Sequence, residues 1–333
     1  MKTIAFFNNK GGVGKTTLSY HLSVMLARLG WRVLAADLDP QANLTSAFLV
    51  EDDLERLWEP EDGGDSVLSA INPILRGTGD IAAPVPLSLG DRVWLLAGDL
   101  GLSRFEDNLS DAWPLGLNGD AAALRATTAF YRLVQQAARS ASADVAVVDV
   151  GPNLGAVNRA AIIAADHIIV PLAADIDSLQ GLRNLGPTVR RWRDDWSRVR
   201  AANDGNAEVD FDLPSGEMAP SGYVVLQHAI RLDRPVRAYE TWLKRIPGTY
   251  AEYVLNEPPP PTRTTDDDPN CLATLRNYRS LMPYAQEARK PMFDLKPADG
   301  AIGGHQALVR LCYEEFKALA LEIVRRCHIP NPP

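Results

Sequence analysis

Three cysteines stand in 333 residues, at Cys271, Cys312 and Cys327. Their number is odd, their spacing is wide, and no C-x-x-C pair occurs. A disulfide framework is therefore not expected, nor a zinc or iron–sulfur site built on cysteine, and a reducing compartment is. Positive charge is also short: 34 lysines and arginines against 42 aspartates and glutamates leave a formal net charge of −8. Attraction of nucleic acid to the whole surface is not expected, so any contact with DNA must come from a local basic patch. Long apolar runs are missing too. No uninterrupted stretch approaches the ~20 residues needed to span a bilayer. Asn8, Asn9 and Lys10 interrupt the first apolar run before it could serve as a secretory h-region. A cytoplasmic protein is the expectation. What remains is ordinary globular composition, 46% apolar and 23% charged, in a chain long enough to bury a substantial core.

The informative stretch is Asn8-Asn9-Lys10-Gly11-Gly12-Val13-Gly14-Lys15-Thr16-Thr17. An apolar run, Thr3 to Phe7, precedes it and reads as a buried strand. A helical pattern follows, with Leu18, Leu22, Met25, Leu26 and Leu29 on one face. Strand, glycine-rich turn and helix are the context of a phosphate-binding loop. Glycines let backbone N–H groups converge on an anion, and the helix N-terminus adds partial positive charge there. Nucleotide contacts are therefore expected from Gly11, Gly12, Val13, Gly14, Lys15, Thr16 and Thr17. Lys15 would neutralise the β- and γ-phosphates, and the Thr16 hydroxyl would bind Mg²⁺.

The first glycine of the ordinary G-x-x-x-x-G-K-[ST] pattern is replaced by Asn9, and Lys10 stands just before the double glycine. This K-G-G-x-G-K-[ST] form resembles the deviant Walker A motif of the ParA/MinD partition and positioning ATPases. The resemblance implies that Lys10 reaches across a nucleotide-sandwich homodimer and touches the partner's ATP. Two more motifs agree in order. Asp37-Leu38-Asp39-Pro40-Gln41 closes a second strand, and its D-x-D-P-Q pattern looks like the family's second motif. By resemblance Asp37 helps position or polarise the attacking water. Asp39 either joins the Mg²⁺ shell or only orders the turn before Pro40. Val145 to Val148 is an apolar strand ending in Asp149, the Walker B pattern, whose carboxylate holds Mg²⁺. The family more often shows D-x-P-P here; Gly151 replaces the first proline and is expected to loosen the segment.

Alternating strands and helices imply an α/β fold: a three-layer, doubly wound, mostly parallel sheet with helices on both faces. The whole chain, 1–333, reads as one P-loop ATPase domain of the ParA-like kind, with loop insertions near 50–91, 201–220 and 256–270. The last of these reads as mobile. His167 opens a strand and reads as a structural edge residue. From Asp177 a long helix is expected, kinked near Gly186-Pro187. Leu185, Val189, Trp192, Trp196 and Val199 form its buried stripe, and Arg183, Arg190, Arg191, Arg193, Arg198 and Arg200 its outer face. By resemblance that face is a candidate surface for non-specific DNA, against the alternative of a solvated face paired with Asp194 and Asp195. The family also points to Gln227, at the end of a later strand, as a base contact.

The implied function is a slow Mg²⁺-dependent ATPase: a switch that dimerises on ATP, with DNA and a ParB-like adaptor as partners and association with the nucleoid if DNA binding holds. A MinD-type membrane switch is the first alternative, but the last helix, with Leu308, Leu311, Phe316, Leu319 and Ile323 on one face, reads as a packing helix. A membrane partner is not expected. A metabolic enzyme on the same scaffold lacks the bridging cysteines or the substrate pocket it would need. A relative serving a mobile element, a secretion machine or a defence system stays open.

Overall fold

In the computed structural model, which describes residues 1–58, 64–90, 92–206, 208–226, 236–260, 264–278 and 280–332, the apolar runs become strands of one sheet. They are β1 (Lys2–Phe6), β2 (Val33–Asp37), β3 (Leu87–Ser88), β4 (Val93–Leu96), β5 (Val145–Asp149), β6 (His167–Leu172), β7 (Ala219–Leu226) and β8 (Cys271–Leu275). The spatial order is β3-β4-β2-β5-β1-β6-β7-β8. Every neighbouring pair is parallel except β3 with β4. β2, β5 and β1 are buried along nearly their whole length, as parallel strands covered on both faces must be.

The helices cross between strands on both sides: α1 (Lys15–Arg28), α2 (Asn43–Phe48), α3 (Glu51–Trp58), α4 (Val67–Leu75), α5 (Phe105–Leu117), α6 (Ala121–Thr127), α7 (Ala129–Ala141), α8 (Ala156–Ile163), α9 (Ile176–Ala202), α10 (Val236–Thr249), α11 (Met282–Ala288) and α12 (Gly304–Arg326). Alternation along β1 divides the core. Ala5 and Phe7 join the layer of α4 to α9, and Ile4 and Phe6 join that of α1 and α12. The expected doubly wound α/β sheet is what the chain forms.

Several local expectations need correction. Residues 51–91, read as irregular, hold α3 and α4; Ser66 caps α4 by accepting from the Ser69 N–H. In the third insertion, Thr265 and Asp268 are buried, and Asp268 accepts from the Tyr223 hydroxyl at 2.7 Å, so residues 264–270 are tied down rather than loose. α1 is buried beyond its leucine stripe, because Tyr20, His21 and Ser23 are covered as well. α9 spans Ile176–Ala202 with Pro187 inside it. A Cβ at Gly186 would lie 1.9 Å from the Tyr253 carbonyl oxygen, so only glycine lets that backbone approach. On α12 the buried stripe is Val309, Cys312, Phe316, Leu319, Ala320, Ile323 and Val324, with Leu308 half-buried at its flank.

Candidate nucleotide site

Register brings the motifs together. Phe6 of β1 and Asp37 of β2 both lie level with Asp149 of β5. The three strand ends therefore open onto one edge, where α/β sheets place ligands.

The loop after β1 has the shape of an anion cradle. Gly12 and Gly14 adopt positive φ, 71° and 81°, which L side chains rarely take. A Cβ at Gly14 would also meet Leu226 at 2.9 Å. Gly11 and Gly12 are exposed, while Val13 is buried as the loop's anchor. The Asn8 amide donates to the Pro171 carbonyl at 2.7 Å, and the Lys10 N–H donates to Asn8 Oδ1, which ties the loop to β6. Lys15 opens α1, is only 7% exposed, and donates to the Lys10 carbonyl at 3.2 Å. Burial lowers its pKa, against the opposing charges of Asp149 and Asp39.

Asp149 takes a hydrogen bond from the Thr16 hydroxyl at 2.7 Å and one from Ser19 at 3.0 Å. Burial raises its pKa despite those bonds. Asp37 is raised as well, by burial first and by the charge of Asp149 second. Asp39 is nearly buried, accepts from the Gln41 N–H, and lies beside Gly151: a Cβ on that glycine would sit 3.3 Å from Asp39 Oδ1. A hydroxyl and two carboxylates thus converge next to the cradle, with Lys15 as counter-charge. Hard oxygen donors in a site short of positive charge suit Mg²⁺, which takes one or two protein ligands with phosphate oxygens and water. Thr16, Asp149 and Asp39 fit that need.

Asp37, read by resemblance as helping to position or polarise the attacking water, lies inside the protein. It has no exposed surface, and both oxygens are engaged. Oδ1 faces the Asp39 N–H at 3.3 Å, and Oδ2 accepts from the N–H and hydroxyl of Thr45 at 2.7 and 2.8 Å.

Lys10 leaves the cradle. Its ammonium sits 2.5 Å from Asp175 Oδ2 and 3.8 Å from Asp177. Asp175 also caps α9 by accepting from the Ser178 N–H at 2.8 Å. Burial works to raise this carboxyl, but Lys10 and the Ser178 N–H outweigh it and hold it below the usual carboxylate range. Sequence reasoning missed Asp175, although an aspartate ahead of a helical run is a capping signal.

After β5, Gly151 is fixed rather than loose. Its N–H donates to Asn158 Oδ1 at 3.0 Å, and the Asn158 amide reaches back to Asn153. A proline has no such N–H. Glu106 on α5 accepts from the Ala156 and Val157 N–H groups and caps α8. Beside Thr16 and Thr17 a cavity of about 480 Å³ opens, bounded by Tyr20 and His21 on α1, Asn43 on α2 and Gln286 on α11. Gln227 lies outside the described residues.

The arginine face divides. Arg183, Arg191, Arg198 and Arg200 are exposed. Arg190 and Arg193, expected there too, turn inward: Arg190 donates to the Tyr253 and Val254 carbonyls, and Arg193 to that of Met218. Arg198 pairs with Asp195 at 2.7 Å. His167 bonds Ser221 at 2.8 Å inside the sheet, as a structural residue does. No helix among the described residues is long and apolar enough to cross a membrane.

Known proteins agree with this geometry. A family model described as an AAA domain matches residues 1–199. The sporulation initiation inhibitor protein Soj of Bacillus subtilis is 30% identical over 190 residues, covering 57% of this chain and 65% of that protein. The chromosome-partitioning ATPase Soj of Thermus thermophilus is 29% identical over 204 residues, covering 58% and 63%. The chain thus spans less than two thirds of the length of these curated relatives. Among solved structures, protein DIP2308 from Corynebacterium diphtheriae superposes with a TM-score of 0.68 at 25% identity, covering 98% of this chain and 99% of that one. With the cradle, the paired lysines and the strand-end aspartates in place, the chain belongs to the ParA/MinD-type family of P-loop ATPases.

Proposed function

We propose that this chain is a ParA-type switch: it binds ATP with Mg²⁺, pairs face to face with a second copy, and hydrolyses ATP slowly to part again. The observation that carries the reading is the division of labour between two lysines. Lys15 faces inward on the cradle, and Lys10 points away from it, onto Asp175. Lys10 is thus no part of the cradle in its own chain, and on release from Asp175 it is free to reach a neighbour's phosphates.

In this reading the backbone N–H groups of residues 11–17 and the Lys15 ammonium hold the phosphates. Thr16, Asp149 and Asp39 would hold Mg²⁺, which would supply counter-charge to the phosphates. The cavity beside Thr17 takes the nucleoside. Water attacks the γ-phosphate and ADP departs; positioning and charge stabilisation supply the rate. Asp37 stays locked to Thr45 and sets the loop that carries Asp39, so its effect on water is exerted through that loop. The exposed arginines Arg183, Arg191, Arg198 and Arg200 form the surface for non-specific DNA, and the adaptor is a ParB-like protein. Plasmid or chromosome partition, or the positioning of another cargo, is the setting.

The test is ATP turnover together with ATP-dependent sedimentation of the wild type and Lys10→Ala. The reading expects Lys10→Ala to lose both dimer and turnover. A Lys10→Ala chain that hydrolyses ATP normally as a monomer would overturn it.

A further inference from the structure

The loop from β2 to α2 is held by a residue that no motif reading assigns. Thr45 is fully buried. Its N–H and hydroxyl both donate to Asp37 Oδ2, at 2.7 and 2.8 Å, and its hydroxyl accepts from the Gly98 N–H at 2.8 Å. The hydroxyl thus spends its one hydrogen on Asp37 and accepts one bond from Gly98. Gly98, just past β4, is pressed against the same carboxylate: a Cβ there would lie 2.8 Å from Asp37 Cγ. Its carbonyl accepts from the Trp58 indole N–H at 3.1 Å. The neighbouring Asp99 accepts from Ser66, the cap of α4. The clamp thus joins β2, α2 and the β4 edge.

The loop it closes is under strain. Ala42, a residue with a Cβ, sits at φ 49° immediately before α2. That conformation costs about 1–2 kcal/mol and persists only where its surroundings over-determine it. Between Asp37 and Ala42 lies Asp39, the carboxylate beside Gly151 and Lys15.

We propose that Thr45 is a positioning residue for ATP hydrolysis: by clamping Asp37 to Gly98 it fixes the loop that carries Asp39 against the phosphate cradle. The inference rests on the ATPase reading above. Thr45 has no exposed surface with which to meet a phosphate. It acts through Asp37, so its loss should slow the chemical step and leave nucleotide affinity nearly unchanged.

The experiment compares the full chain with Thr45→Val, Thr45→Ser and Asp37→Asn, and with Thr45→Val combined with Asp37→Asn. Losing a hydrogen bond to a buried charged group predicts a kcat about tenfold to a hundredfold lower for Thr45→Val, with KM for ATP within about twofold. Thr45→Ser keeps both bonds and should restore turnover. Once Asp37 is neutralised the valine should add little, because the two residues act as one unit. Amide exchange over residues 38–46 should accelerate in Thr45→Val and not in Thr45→Ser. Unchanged kcat and exchange in Thr45→Val would overturn the inference. So would a serine variant as slow as the valine, or independent losses that multiply in the double variant. A wild type with no turnover would sink the ATPase reading instead, and the exchange comparison would still decide whether Thr45 anchors the loop.

Discussion

The Lys10 ammonium lies 2.5 Å from the Asp175 carboxylate within one chain, and that carboxylate is also the cap of α9. One aspartate therefore holds both the lysine proposed to serve a second copy and the first turn of the helix that bears the arginines. For Lys10 to reach another molecule's phosphates it must leave Asp175, so the pair opposes dimerisation. Asn keeps the cap, since it accepts from the same N–H, and removes the charge. Asp175→Asn is thus expected to dimerise with ATP at a protein concentration roughly fivefold lower, the worth of a partly exposed ion pair of about 1 kcal/mol. Sedimentation velocity with a non-hydrolysable ATP analogue measures this; an unchanged or higher midpoint contradicts it.

Gly151 stands where the family more often has proline, yet its N–H is committed to Asn158. Installing proline leaves Asn158 Oδ1 short of a donor and brings a Cβ to 3.2 Å from Asn158 Nδ2 and 3.3 Å from Asp39 Oδ1. Gly151→Pro is expected to cost about 1–3 kcal/mol in denaturant unfolding, the price of a buried group left unmatched. Stability equal to wild type would show that the Asn158 bond contributes nothing.

His21 offers a pH test that involves no metal ligand. Its Nε2 accepts from the Met292 N–H at 3.0 Å, so Nδ1 must carry the proton it shares with the Thr17 carbonyl at 2.8 Å. The ring stacks on Phe316 and meets Phe293 edge-on, with only 3% of the residue exposed. Burial lowers its pKa to about 4, against the Thr17 bond, which favours the charged form. The unfolded chain binds this proton near pH 6.5 and the folded chain does not until about pH 4. His21 therefore contributes full stability above pH 6.5 and loses it as pH falls toward 4. A titration of the imidazole by NMR should find it neutral at pH 5. Protonation near 6.5 would contradict the geometry.

If the exposed arginines bind DNA as proposed, the division of the arginine face separates binding from stability. Arg191→Glu with Arg198→Glu should weaken ATP-dependent binding to any DNA and flatten its salt dependence by about one unit of slope per lost phosphate contact. Arg190→Ala and Arg193→Ala should instead lower the melting temperature, since each side chain satisfies carbonyls of neighbouring segments. Equal loss of DNA binding from both pairs, with melting unchanged, would restore a uniform basic face.

Short-range patterns were readable and long-range partners were not. The cradle, the strand-end aspartates and the stripe from Leu185 to Val199 are set by spacing along the chain, and the structure keeps them. α3 was missed because it is mostly charged, and α4, although mostly apolar, because it is short and carries Pro73 within it. Asp175 and Thr45 matter through contacts 165 and 8 residues away, and only folding brings the first to Lys10. The inward turn of Arg190 depends on Gly186 admitting the carbonyl of Tyr253, which no helical wheel contains.

The most direct test mixes two variants that fail alone. Lys10→Ala keeps its own cradle and Asp39 but offers no lysine; Asp39→Ala offers the lysine but cannot complete its own site. If Lys10 serves the opposite subunit, an equimolar mixture forms heterodimers with one whole site of two, and turnover should recover in part, to no more than about half of wild type. A mixture as inactive as its components would contradict the account.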